Sequence, residues 1–195
     1  MPTISSKGFE EYKTKKSVVV VYTGEGKGKT SASVGLMARA LGNDWSVAFI
    51  QFIKHWEVGE HAFITRIQKT FGDKLFFYKG GRGFYHAREL SAEKVTDKEH
   101  KQAALDTYEQ ALKAARKGEY DLVICDEISN AVYHHLLTKE QLKGLIESRS
   151  PKTSLCLTGR NFPNDLLPLV DIATNMAKIK HHFDEKFLAN QGIDF

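Results

Sequence analysis

One segment constrains this chain more than any other: Gly24-Glu25-Gly26-Lys27-Gly28-Lys29-Thr30, set directly after the β-branched run SVVVVY at 17–22. A continuous apolar run of that kind reads as a strand buried on both faces. The stretch that follows, 30–41, is Ala-rich, carries Val34, Met37, Ala38 and Leu41 at helical spacing, and meets a stop at Gly42. Strand, glycine-rich turn and helix in immediate succession place the backbone N–H groups of Glu25 to Lys29 where they can wrap a chain of phosphates. Gly24, Gly26 and Gly28 permit the curvature. Lys29 adds a positive charge, and the Thr30 hydroxyl can bind Mg²⁺. The usual template, G-x-x-x-x-G-K-[ST], asks for glycine five positions before Gly28, where this chain has Thr23. The loop is a shifted variant, supported by its strand and helix context more than by its spelling.

The rest of the chain repeats the alternation. Strands are predicted at 46–53, 74–79, 120–125, 153–158 and 172–179, and helices at 59–71 and, briefly, at 184–190. Thr96 with Glu99, and Thr138 with Gln141, spell capping boxes. The first opens a helix whose apolar face is Ala104, Leu105, Tyr108, Ala111, Leu112 and Ala115 and which ends at Gly118; the second leads into Leu142, Leu145 and Ile146. Strands alternating with helices imply right-handed crossovers and a parallel sheet covered on both faces, an α/β three-layer, mostly parallel architecture. The reading is a flexible N-terminal segment, 1–16, and a single domain over 17–195, a size that buries a core without disulfides. Cys125 and Cys156 lie inside apolar runs and suit a reducing compartment. No apolar stretch approaches the ~18 residues of a membrane span, and the polar start lacks the apolar core of a signal peptide, so a cytoplasmic location is expected. The net charge of +4 comes from interleaved basic and acidic residues, with no stripe suited to nucleic acid.

Further chemistry is expected at the strand ends. Asp126-Glu127 follows an apolar strand, where a carboxylate would complete a Mg²⁺ shell opposite Thr30; acidic residues there also cap a following helix. Thr158-Gly159-Arg160-Asn161 ends another strand on the same rim, making Arg160 either a phosphate clamp or a surface ion-pair partner. The segment 80–89, with three glycines and two aromatics, reads as a lid loop. Neither zinc-like spacing nor a Ser/His/Asp or Cys/His nucleophile arrangement stands out.

With these pieces in place, TGEGKGKTSAS at 23–33, QFIK at 51–54, GE at 59–60, DE at 126–127, LTGR at 157–160, KHHFD at 180–184 and QGID at 191–194 resemble the corrinoid adenosyltransferases of the CobA/BtuR/CobO type. The likeness covers roughly residues 17–195 and extends to the shifted phosphate loop. It implies a P-loop NTPase, RecA-like fold in which a Co(I) corrinoid attacks the 5′ carbon of ATP and inorganic triphosphate departs. ATP would lie reversed relative to ordinary P-loop enzymes, with its phosphates on residues 24–31 and with Arg39 and Arg160 near the nucleotide. Mg²⁺ or Mn²⁺ would be held by Thr30 and Glu127, with Asp126 one step behind; Lys29, Thr30 and Glu127 would carry the catalysis.

The resemblance also implies a corrinoid resting on aromatics of a Gly-Phe-x-Trp segment. Here the matching residues are Gly83-Phe84-Tyr85-His86, so Phe84 keeps its aromatic while His86 stands in place of tryptophan. A reduced flavoprotein as electron donor and a homodimer complete the implied partners. Two other readings use the same parts: a conventional P-loop phosphotransferase or ATPase, and a non-catalytic corrinoid- or nucleotide-binding protein. The second lacks the D-x-H-x-x-G pattern, since none of the eight histidines follows an aspartate by two.

Overall fold

A computed structural model describes residues 11–54, 57–83 and 95–195. Six strands alternate with helices: β1 (Val19–Thr23), α1 (Lys29–Gly42), β2 (Val47–Gln51), α2 (Gly59–Phe71), β3 (Leu75–Lys79), α3 (Asp97–Lys117), β4 (Leu122–Asp126), α4 (Ile128–Tyr133), α5 (Lys139–Ser148), β5 (Ser154–Thr158) and β6 (Ile172–Asn175). The strands form one sheet in the order β3-β2-β4-β5-β1-β6, and every pair is parallel. Because all strands run the same way, their C-terminal ends share one rim, where ligands of open α/β sheets bind.

Alternate side chains of the central strands point to opposite faces, which is why those strands are apolar throughout. Val47, Phe49, Leu122 and Ile124 pack with Met37 and Leu41 of α1 and Ile64 of α2. Ala48, Ile50, Val123, Cys125, Leu155 and Leu157 pack with Ala104, Tyr108 and Ala111 of α3 and with Leu142 and Leu145 of α5. The three-layer α/β expectation is thus met.

Both predicted capping boxes are present. The Thr96 and Thr138 hydroxyls accept from the N–H groups of Glu99 and Gln141, whose side chains accept from the backbone N–H groups of Thr96 and Thr138. Gly118 ends α3 in the left-handed conformation. Gly42, expected as a stop, is instead the last residue of α1, and Asn43 provides the cap.

Two C-terminal expectations fail. The last strand stops at Asn175 rather than 179, because the chain then leaves the sheet to cross the glycine loop. The Met176 carbonyl accepts from the Gly26 N–H at 2.6 Å. The closing helix at 184–190 is only a single 3-10 turn, His182–Glu185. Phe183, Phe187 and Leu188 are all exposed, so no buried face stabilises so short a helix. The Pro168-containing 3-10 turn over Asn164–Leu169 has no sequence counterpart in the pattern above. Most of the N-terminal segment (1–10) and of the lid (84–89) lies outside the described residues.

Thr138→Ala removes an N-cap remote from the phosphate loop. It is expected to lower unfolding free energy by about 1 kcal/mol in urea titrations.

Candidate nucleotide site

The glycine loop between β1 and α1 owes its residues to two requirements. Gly28 precedes the helix at φ 109°, a conformation that L side chains rarely adopt. Gly26 has an ordinary backbone, but a Cβ there would lie 2.6 Å from the Met176 carbonyl oxygen and 2.7 Å from that of Ala177. Its N–H is already bonded to Met176, so this amide is not among those available to phosphate, contrary to the expectation of an uninterrupted cradle. The Lys29 ammonium folds over the same loop and donates to the carbonyls of Gly24 and Gly26, both at 2.6 Å. Burial, reinforced by Arg160, lowers its pKa.

Beside the loop lies a cavity of about 850 Å³, lined in part by Lys29, Thr30, Lys54, Glu127 and Arg160. That size suits a nucleotide-class ligand. One wall is built on Asp126, fully buried at the end of β4. Its Oδ2 accepts from the Thr30 hydroxyl at 3.1 Å and from the Gln51 amide at 2.7 Å, and its Oδ1 accepts from the Thr158 hydroxyl at 2.7 Å. The Thr30 proton is thereby directed at Asp126, which leaves an oxygen lone pair of Thr30 for a cation.

Glu127 adopts a left-handed backbone, φ 64°, a conformation costing a non-glycine residue about 1–3 kcal/mol. The Glu127 N–H donates to the Thr158 hydroxyl at 2.9 Å and holds that turn. Its Oε2 is buried with no hydrogen-bond partner, and burial together with Asp126 pushes the carboxyl up to about 7. A buried carboxylate oxygen without a donor, on the same cavity as the Thr30 lone pair, fits a divalent cation whose remaining ligands are phosphate and water oxygens.

Lys54 enters from the end of β2 and pairs with Glu60 at 2.6 Å. Burial works to lower its pKa, but Asp126, Glu127 and Glu60 together carry it above the usual value. Arg160 stands across the cavity mouth, 3.4 Å from Glu25, with both side chains more than half exposed. It therefore reaches the site while also making a surface pair, and an exposed pair of this kind adds little stability.

The C-terminal segment also belongs to the site. Asp194 pairs with Lys27 at 2.9 Å and approaches His182 Nε2 at 3.5 Å, which brings KHHFD and QGID onto the glycine loop. Bonds from the Asn190 N–H and Lys27 hold the Asp194 carboxyl below its ordinary pKa.

Glu25, Gly26, Lys27, Gly28, Lys29, Thr30 and Ser31 all line the cavity, whereas Arg39 does not. Ten residues beyond Lys29, Arg39 is displaced by about 15 Å along α1 and is exposed in its last turn. Phe84 and His86 fall outside the described residues. Sequence reasoning singled out neither Lys54 nor Gln51 nor His61; their only signal was the position of QFIK and GE at the end of β2 and the start of α2.

Comparison with known proteins agrees with this geometry. Residues 15–195 match the family model described as ATP:corrinoid adenosyltransferase BtuR/CobO/CobP. The chain belongs to that family. A corrinoid adenosyltransferase of Sinorhizobium sp. is 34% identical over 92% of this chain and 81% of its own length. One from Pseudomonas aeruginosa is 30% identical over 92% and 84%, and the corrinoid adenosyltransferase CobA of Salmonella typhimurium is 28% identical over 92% and 86%. Among solved structures, the flagellar accessory protein FlaH of Methanocaldococcus jannaschii aligns with a TM-score of 0.52 at 13% identity, covering 87% of this chain and 75% of that one. This likeness concerns the fold alone, and it accords with a P-loop, RecA-like arrangement in which β5 separates the loop strand β1 from β4.

In metal-free protein, the elevated Glu127 pKa makes the folded state hold a proton that the unfolded chain releases near 4.5. Stability from this group is therefore present below pH 4.5 and lost as pH rises through about 7. Denaturation of wild type against Glu127→Gln is expected to show the wild type losing relative stability across that window. A difference independent of pH would contradict the assignment.

Proposed function

We propose that this family member transfers the 5′-deoxyadenosyl group of ATP to the Co(I) of a corrinoid with the phosphate loop holding the departing triphosphate. In that reaction the cobalt–carbon bond forms, the bond from C5′ to the triphosphate oxygen breaks, and its electron pair leaves with the triphosphate. The observation carrying the site assignment is the joint placement of Thr30, held by Asp126, and the unpartnered Glu127 Oε2 on the cavity beside the loop.

Each side chain then has a task. The free N–H groups of the loop and the Lys29 ammonium bind phosphate oxygens, and Lys29 exchanges its two loop carbonyls for them. Lys54 and Arg160 face the charge that grows on the leaving group, where donors fixed in advance lower the barrier most. Thr30 and Glu127 would hold Mg²⁺ or Mn²⁺, which when bound supplies charge neutralisation of the triphosphate. Asp126 orients Thr30. Phe84 and His86 are assigned to the corrinoid; a reduced flavoprotein supplies the electron, a homodimer is the working form, and the cytoplasm is the location.

A conventional phosphotransferase would use the same loop and carboxylates, so the product discriminates. With ATP, Mg²⁺ and chemically reduced cobalamin, a light-sensitive alkylcobalamin spectrum is expected. Lys29→Ala and Thr30→Ala are each expected to slow its appearance by about 100-fold or more, in line with loss of a transition-state charge contact. ATP consumption without any spectral change would overturn the reading. His86→Trp is expected to change the rate starting from Co(II) and a mild reductant more than the rate starting from preformed Co(I). Equal changes in both assays would remove His86 from the handling of the cobalt's axial ligand.

A further inference from the structure

Behind Asp126 a buried polar chain runs away from the cavity to α2. Gln51, at the end of β2, and His61, in the first turn of α2, are both almost completely buried, and neither lies among the cavity-lining residues. Gln51 Nε2 donates to Asp126 Oδ2 at 2.7 Å, and Gln51 Oε1 is hydrogen-bonded to His61 Nε2. Such a chain accepts one polarity only. A carboxylate oxygen requires the amide NH₂, so the amide oxygen must face His61, and His61 must present Nε2–H to it. The other ring nitrogen, Nδ1, is then the lone-pair atom. It is buried without a hydrogen-bond partner, and Glu57 Oε2 stands 3.8 Å away. Burial, with Lys79 nearby, lowers the His61 pKa, which accords with a neutral ring.

We propose that Gln51 and His61 are positioning residues: His61 sets which way the Gln51 amide faces, and Gln51 thereby fixes the Asp126 oxygen that holds the Thr30 hydroxyl at the cation site. Without the His61 donor, the buried Gln51 oxygen has no partner and the amide is free to turn. A turned amide sets oxygen against oxygen at Asp126. The tilt of Thr30, and with it the cation's ligand geometry, then depends on a histidine that touches neither cation nor nucleotide.

The inference rests on the cation placement proposed above, and two measurements keep the two ideas separate. In the metal-free full-length protein, ¹⁵N NMR of the imidazoles is expected to show His61 protonated at Nε2; a neutral Nδ1–H tautomer at pH 7.5 would overturn the proposal. The second is binding of Mn²⁺ in the presence of ATP and absence of corrinoid, followed by the EPR signal of free Mn²⁺. His61→Phe, which keeps the ring against Phe77 (centroids 5.7 Å apart in the native protein), and Gln51→Leu are each expected to weaken Mn²⁺ binding by about 10-fold or more. Affinity for ATP without metal should stay within about twofold. His61→Gln, which retains an amide donor at the Nε2 position, should recover most of the loss. If His61→Phe is folded by circular dichroism and binds Mn²⁺ as wild type does, the positioning role is wrong. Should wild type bind ATP with no strengthening by Mn²⁺, the cation placement itself fails, and the tautomer still decides the polarity of the chain.

Discussion

The carboxylate of Asp126 is where this structure is tied together. It is fully buried at the end of β4 and takes hydrogen bonds from Thr30 at the start of α1, Gln51 at the end of β2 and Thr158 at the end of β5. Burying a charge is tolerable only when donors replace the lost water, and here each donor comes from a different element of the rim. Satisfying one carboxylate therefore fixes the relative positions of the phosphate loop, the central strands and, through His61, the first turn of α2. Thr158 extends the same constraint to Glu127, whose backbone N–H it accepts.

Electrostatics around the cavity follow from that anchoring. Asp126, buried behind the cavity, and Glu127 on its wall raise the pKa of the mostly buried Lys54 against the effect of its burial. At the loop, burial and then the nearby Arg160 charge lower the Lys29 pKa. A polyanion carrying a divalent cation relieves both strains at once, placing positive charge beside the carboxylates and phosphate oxygens beside the cations. Such a site does not dictate which bond of ATP breaks. It is equally suited to a triphosphate that leaves whole, the chemistry proposed above.

Features set by neighbours in sequence were legible before the structure. Strand, loop and helix around Lys29 depend on local propensity, and the two capping boxes on contacts three residues apart, so each could be read from spelling. Position on the rim followed too, because Asp126 and Thr158 each end an apolar strand of a parallel sheet. What escaped was long-range. Gly26 looked like a phosphate-loop glycine, yet its missing side chain makes room for Met176, 150 positions away. Gln51 and His61 lie in segments that read as a strand and a helix face, and the bonds from Gln51 to Asp126 and to His61 appear only when β2 aligns beside β4. Arg39 was placed near the nucleotide by family likeness, but the rise of α1 carries it away from the cavity.

The central claim is that the cradle from Gly24 to Thr30 holds a leaving triphosphate rather than a phosphate chain cut at its end. Its most direct test is ³¹P NMR of the phosphorus products alongside the alkylcobalamin formed in the same tube. One intact inorganic triphosphate per adenosylated corrinoid is the predicted result, with ADP and orthophosphate at background. ADP or orthophosphate appearing in step with the corrinoid product, or in its absence, would contradict the account.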